Sequence, residues 1–188
     1  MAQVKGIAIL GLVKFVKKNL KDKGIEDFLR MLEDEEDRAI FQRRLLPTEW
    51  YPYKTFANLL TLTDKYFGKG DMSFAREQGR MNAEADLAGV YRAFVKVGPT
   101  KFFVKRAMNM WKSYYDTGSV DLIDLGENKL QIKFSDFPEM KKIHCKNVEG
   151  WIERFFELCG AKGVKVTETK CRTKGDPFCQ FDVVFESL

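Results

Sequence analysis

The sequence predicts an α+β fold, with N-terminal helices packed on one face of an antiparallel sheet of about four strands. Three observations predict it. Apolar residues recur at three- and four-residue steps through the first two-thirds of the chain. After Gly118 the pattern changes to alternating apolar runs, each bent by a turn sequence. One further helical stretch lies between the two bent runs. At 188 residues and 45% apolar content the chain can bury a core of its own, which excludes a disordered polypeptide. It is read as one domain, residues 1–188. A helical arm takes 1–45, a helical layer 46–117 and a hairpin-helix-hairpin unit 118–188.

Ile9, Leu12, Val13, Val16 and Leu20 form the apolar face of the first helix, which Gly24 breaks. Ile25–Leu32 is a second, short helix, and Asp34–Arg44 a charged third that stops at Pro47. Glu49 to Tyr53 reads as an aromatic loop, because Pro52 biases Tyr51 away from the α region. Phe56, Leu59, Leu60 and Leu62 begin a helix that ends near Gly68 to Gly70. Asp71 is the expected N-cap of the longest helix, roughly 72–95, with the stripe Ala75, Gly79, Ala83, Leu87, Val90 and Phe94. The small residues in its first half allow a neighbouring helix to approach closely. Gly98-Pro99 stops it, and Lys101–Tyr115 follows as a helix. Val120–Leu125 and Leu130–Phe134 flank a turn. Asn147–Cys159 returns to helical spacing and ends at Gly160. Val164–Cys171 and Cys179–Phe185 form the last hairpin, with Cys179, Phe181, Val183 and Phe185 on one face.

Thirty-two Lys and Arg oppose 27 Asp and Glu, a mild net charge of +5 with no basic stripe. A sequence-independent grip on nucleic acid is therefore not expected. The single His excludes any site that needs two imidazoles. Residues 7–16 resemble the core of a signal peptide, but Lys14 interrupts them and no small-residue cleavage site follows. No apolar run reaches the roughly 18 residues that span a bilayer. The reading is a cytoplasmic protein whose four cysteines, too few for a disulfide framework, stay reduced.

Three of those cysteines carry the site. A hairpin returns positions eight apart toward each other, so Cys171 and Cys179 can meet across the last turn. Cys145 sits just before the 147–159 helix, and Glu168 precedes Cys171 by three residues. Three thiolates and one carboxylate suit a closed, four-coordinate structural zinc. His144 is an alternative fourth ligand. One geometric objection stands: on a regular strand Glu168 and Cys171 point to opposite faces, so the strand must end or bulge between them. The same thiols are equally readable as small buried hydrophobes, the reading given to Cys159.

The run from Glu168 through Cys171, Gly175-Asp176-Pro177-Phe178-Cys179 and Phe181 resembles the C-terminal signature of the 4-vinyl reductase domain family. The stretches around Trp50 to Tyr53 and Gly89 to Arg92 resemble an uncharacterised bacterial branch of it. The resemblance implies the fold shared by heme nitric-oxide-binding domains and the palmitate-binding subunits of Golgi transport particles. In that fold a helical layer covers a four-stranded sheet over an apolar pocket. It implies a structural zinc on Cys145, Glu168, Cys171 and Cys179, as in the aromatic-sensing activators that carry the domain. It does not imply heme, because the heme-carboxylate motif Tyr-x-Ser-x-Arg is missing and the one His adjoins a zinc ligand. No P-loop accompanies it.

The expected function is a stand-alone sensory domain for a small hydrophobic or aromatic molecule. Tyr91, Phe94, Phe103, Trp111 and Trp151 are the expected pocket wall. The alternative is a homodimeric interaction module without a ligand, since the helix 7–20 carries more apolar residues than one face needs. An enzyme is not expected: His144 beside Cys145 is the one nucleophile-base pairing on offer, and sequence adjacency is poor geometry for it.

Overall fold

The computed structural model describes residues 1–20, 24–87, 110–126 and 128–187. Strand β1 (Gln3–Lys5) pairs antiparallel with β2 (Trp50–Pro52), Val4 opposite Tyr51. Between them lie α1 (Gly6–Leu20), α2 (Ile25–Arg30) and α3 (Glu35–Gln42). Helix α4 (Tyr53–Phe67) follows β2 directly, and α5 (Ser73–Asp86) follows α4. Residues 110–114 are helical. Strands β3 (Ser119–Gly126) and β4 (Lys129–Ser135), helix α6 (Lys142–Leu158), and strands β5 (Lys165–Lys170) and β6 (Cys179–Val184) complete the chain.

The four-stranded sheet is antiparallel in the order β3-β4-β6-β5. Leu130, Ile132 and Phe134 on β4 and Cys179, Phe181 and Val183 on β6 are buried, the alternation read from the sequence. Helix α6 covers that face with Val148, Ile152, Phe155 and Phe156. Helix α5 lies against α6 at a distance only glycine permits. A Cβ on Gly79 would overlap the carbonyl oxygen of Asn147, and a Cβ on Gly150 that of Arg76. Each helix thus supplies one glycine to the crossing. Arg76 and Arg80 on α5 pair with Glu149, Glu153 and Glu157 on α6 along the same seam.

Several boundaries differ from expectation. The aromatic loop at Glu49–Tyr53 is an edge: three residues pair with the N-terminus, too few for alternation to declare itself. Asp71 is not the cap of α5. Buried Asp64 takes the role from α4, accepting the backbone N–H groups of Met72 (2.8 Å), Phe74 (2.9 Å) and Ala75 (3.3 Å). The part of the expected 72–95 helix beyond Leu87, and residues 101–109 of the next, lie outside the described residues. Most consequential for the site, α6 begins at Lys142, not Asn147, so Cys145 stands in its first turn and not ahead of it. Among the described residues no helix is long and apolar enough to cross a membrane.

Candidate metal centre and adjoining cavity

The last hairpin is built to bring two thiols together. Cys171 directly follows β5, and the chain then turns through a short 3-10 segment, Arg172–Lys174, to Gly175, whose φ of 99° is left-handed. Asp176 Oδ2 accepts the Cys171 N–H at 2.7 Å and closes the turn. Cys179 opens β6 on the same side. Helix α6 contributes Cys145, whose Sγ lies 3.7 Å from that of Cys179.

Glu168 joins them because β5 bulges. Glu168 pairs with Phe181 but Lys170 pairs with the adjacent Gln180, so Thr169 is an extra residue. The bulge removes the alternation that would send Glu168 and Cys171 to opposite faces. One ligand atom from each of Cys145, Glu168, Cys171 and Cys179 lies within 4.8 Å of every other. Two sulfurs each about 2.3 Å from a tetrahedral ion are about 3.8 Å apart, close to the Cys145–Cys179 separation. The cysteines are buried, and Oε1 of Glu168 is a buried oxygen with no hydrogen-bond partner. Such an orphan acceptor is costly unless a cation meets it.

The electrostatics point the same way. The Cys179 thiol is held down at about 6, first by its hydrogen bond with Cys145, then by the Arg172 N–H donated to its sulfur at 3.4 Å. The Cys145 thiol is pushed up, first by that shared bond and then by burial. Together they release one proton readily and the next reluctantly, the behaviour a divalent cation reverses. Lys142, three residues before Cys145, binds the Glu168 carboxylate and reaches the Cys171 sulfur at 3.8 Å. Cys159, at the C-cap of α6, stands apart against the core, its thiol pushed up to about 12 by burial.

The neighbouring residue on α6 faces elsewhere. His144 is 1% exposed and turns from the cysteines into a cavity of about 370 Å³ between helices and sheet. Its Nδ1 lies 3.0 Å from the Tyr53 hydroxyl and its Nε2 2.8 Å from that of Tyr115. Trp111 stacks on the imidazole at 14°. Burial lowers the ring to about 3, so it is neutral. With both nitrogens engaged by tyrosines, His144 is not the fourth member of the cysteine cluster; Glu168 is.

Trp111 and Trp151 line the cavity, as expected of them. Tyr91, Phe94 and Phe103 lie outside the described residues. Sequence reasoning missed Phe56, Asp86, Tyr115, Phe134 and His144 in the wall. Asp86 accepts the Tyr114 O–H at 2.7 Å and the Trp151 Nε1–H at 2.8 Å, while burial raises its carboxyl above the ordinary range. Ile7 and Leu10, two of the apolar residues of α1, also line this space, and Ile7 remains half exposed.

Residues 129–185 match the V4R domain, so the family resemblance read at Glu168 to Phe181 holds over β4, α6 and the last hairpin. No curated protein sequence matches the chain significantly. Solved H-NOX structures share the whole fold. The H-NOX protein of S. oneidensis in its Fe(II)NO ligation state is 12% identical, with a TM-score of 0.72 over 97% of this chain and 99% of that one. An Fe(II) unliganded H-NOX mutant from K. algicida is 12% identical, with a TM-score of 0.68 over 97% of each chain. An oxygen-binding H-NOX domain related to soluble guanylate cyclases is 13% identical, with a TM-score of 0.65 over 97% of this chain and 95% of that one.

Proposed function

We propose that this chain is a cytoplasmic sensory domain that takes a small hydrophobic or aromatic molecule into the cavity between its helices and its sheet, beside a structural zinc held by Cys145, Glu168, Cys171 and Cys179. One observation carries the reading. The first turn of α6 sends His144 into an apolar cavity and, one residue later, Cys145 into a closed cluster of three thiols and a carboxylate. Apolar walls with a few fixed polar groups are what a small-molecule pocket requires. The V4R match and the H-NOX fold add the precedent of a sensory scaffold.

The donor set fits zinc. Its soft thiolates disfavour magnesium and calcium, and four protein ligands leave no position open for catalysis. Zinc in this place would supply charge neutralisation and tie the β5–β6 turn to the start of α6. The Lys142 ammonium would offset the negative charge that three thiolates and a carboxylate leave over a dication. The residues do not fit a histidine-ligated heme. The chain has one His, and both its nitrogens are bound to tyrosine hydroxyls. An organic occupant without iron is the better match.

Metal analysis and a native mass spectrum, taken on one sample purified without chelator, test this. The expected result is about one zinc per chain and a non-covalent organic mass that denaturation releases. Absence of zinc together with a chain that binds no apolar molecule removes the reading.

A further inference from the structure

Among the described residues the Tyr53–His144–Tyr115 chain holds one proton more than it has acceptors for, and where that proton goes bears on what the cavity binds. The Lys141 backbone N–H donates to the Tyr53 oxygen at 3.0 Å. That leaves the Tyr53 hydroxyl, the one imidazole proton and the Tyr115 hydroxyl to be placed on two contacts, Tyr53–Nδ1 and Nε2–Tyr115. Either tautomer strands one phenol proton. With the proton on Nδ1, Tyr53 accepts twice and its own hydrogen has no acceptor among the described residues. Tyr53 is 1% exposed and enclosed by the rings of Phe56, Phe137 and Tyr115. A stranded donor there carries the full cost of desolvation. With the proton on Nε2, Tyr53 donates to Nδ1, His144 donates to Tyr115, and the spare hydrogen belongs to Tyr115. Tyr115 lines the cavity, where a water or a ligand can accept. A phenol keeps its proton at neutral pH, and a second imidazole proton would still leave the Tyr115 hydrogen free for the cavity.

We infer that the cavity's occupant presents a hydrogen-bond acceptor, such as a carbonyl or ether oxygen or an aromatic nitrogen, to the hydroxyl of Tyr115. This rests on the proposed ligand-binding role and narrows it: the molecule is apolar in bulk but polar at one atom. Tyr115 is a specificity-determining residue, and His144 and Tyr53 position it. The polarity of the relay is set from outside the cavity, by a backbone N–H that can only donate.

The test uses the full chain and two probes of similar shape, acetophenone, which carries the acceptor, and ethylbenzene, which lacks it. Calorimetric titration is expected to show acetophenone bound about five- to tenfold more tightly, the worth of one net hydrogen bond. Tyr115→Phe is expected to abolish that preference while ethylbenzene affinity is retained. Equal affinity of the two probes for the unmodified chain overturns the inference and leaves the cavity reading standing. Binding of neither removes both. Should Tyr115→Phe fail to fold, the imidazole ¹⁵N spectrum of the unmodified chain decides, since His144 is its only histidine. A proton on Nε2 is required, and one on Nδ1 refutes the inference.

Discussion

Replacing Cys179 by Ala removes one of the four donors and leaves an uncharged gap at the first residue of β6. The sulfur is wholly buried, 3.7 Å from the Cys145 sulfur. Two contributions are lost. The packing of one small buried group is worth about 1 kcal/mol. The metal contribution is larger. A ligand present at about a thousand times its dissociation constant stabilises the folded chain by about 4 kcal/mol. In a domain of this size each kcal/mol moves the midpoint by about 2–4 °C, so the variant is expected to melt about 10–20 °C lower. The assay is a thermal melt of both proteins with and without a strong chelator. Chelator is expected to lower the unmodified protein by most of that amount and to leave Cys179→Ala unmoved. Cys159→Ala, away from the cluster, is expected to respond to chelator as the unmodified chain does. A chelator-insensitive unmodified protein, or a variant that keeps its chelator response, refutes a structural metal at this site.

Three other outcomes follow from the geometry. Gly79→Ala forces α5 and α6 apart against the Asn147 carbonyl and should cost about 1–3 kcal/mol, visible as a shifted denaturant midpoint. Asp64→Ala leaves the N–H groups of Met72, Phe74 and Ala75 without their acceptor, at about 1–3 kcal/mol, whereas Asp71→Ala should cost less. The Asp86 carboxyl, raised by burial, contributes stability at low pH that is lost as pH rises through its folded-state pKa. Trp151→Phe deletes one of its two donors and should raise it further, read by carboxyl ¹³C shifts; an unmoved titration rules out that hydrogen bond.

The sheet was legible because one strand of each hairpin alternates strictly on a buried face: Leu130, Ile132 and Phe134 on β4, then Cys179, Phe181 and Val183 on β6. The cysteine set was legible because hairpin closure is short-range, so eight residues of separation fixed a spatial meeting. What single-sequence periodicity could not reach was set by tertiary contacts. The bulge at Thr169 has no residue signature of its own; it shows only in the pairing of β5 with β6. Asp64 caps a helix eight residues downstream in preference to Asp71, because packing of α4 against α5 places its carboxylate at that end. The start of α6 was read five residues late. Apolar periodicity is weak there, since Lys142 and Cys145 are committed to the cluster and His144 to the cavity wall, leaving Ile143 for the core.

That commitment is the organising feature of the molecule. Within one turn, the Lys141 N–H is held by the Tyr53 hydroxyl, the Lys142 ammonium by Glu168, the His144 ring by two tyrosines in the cavity wall, and Cys145 by the cluster. A helix start without a side-chain cap would ordinarily fray. Here the restraints come from opposite sides, the cavity and the last hairpin. A cavity and a cysteine cluster that share no side chain thus meet in a single helical turn, and the proposed zinc would brace that turn from the hairpin side.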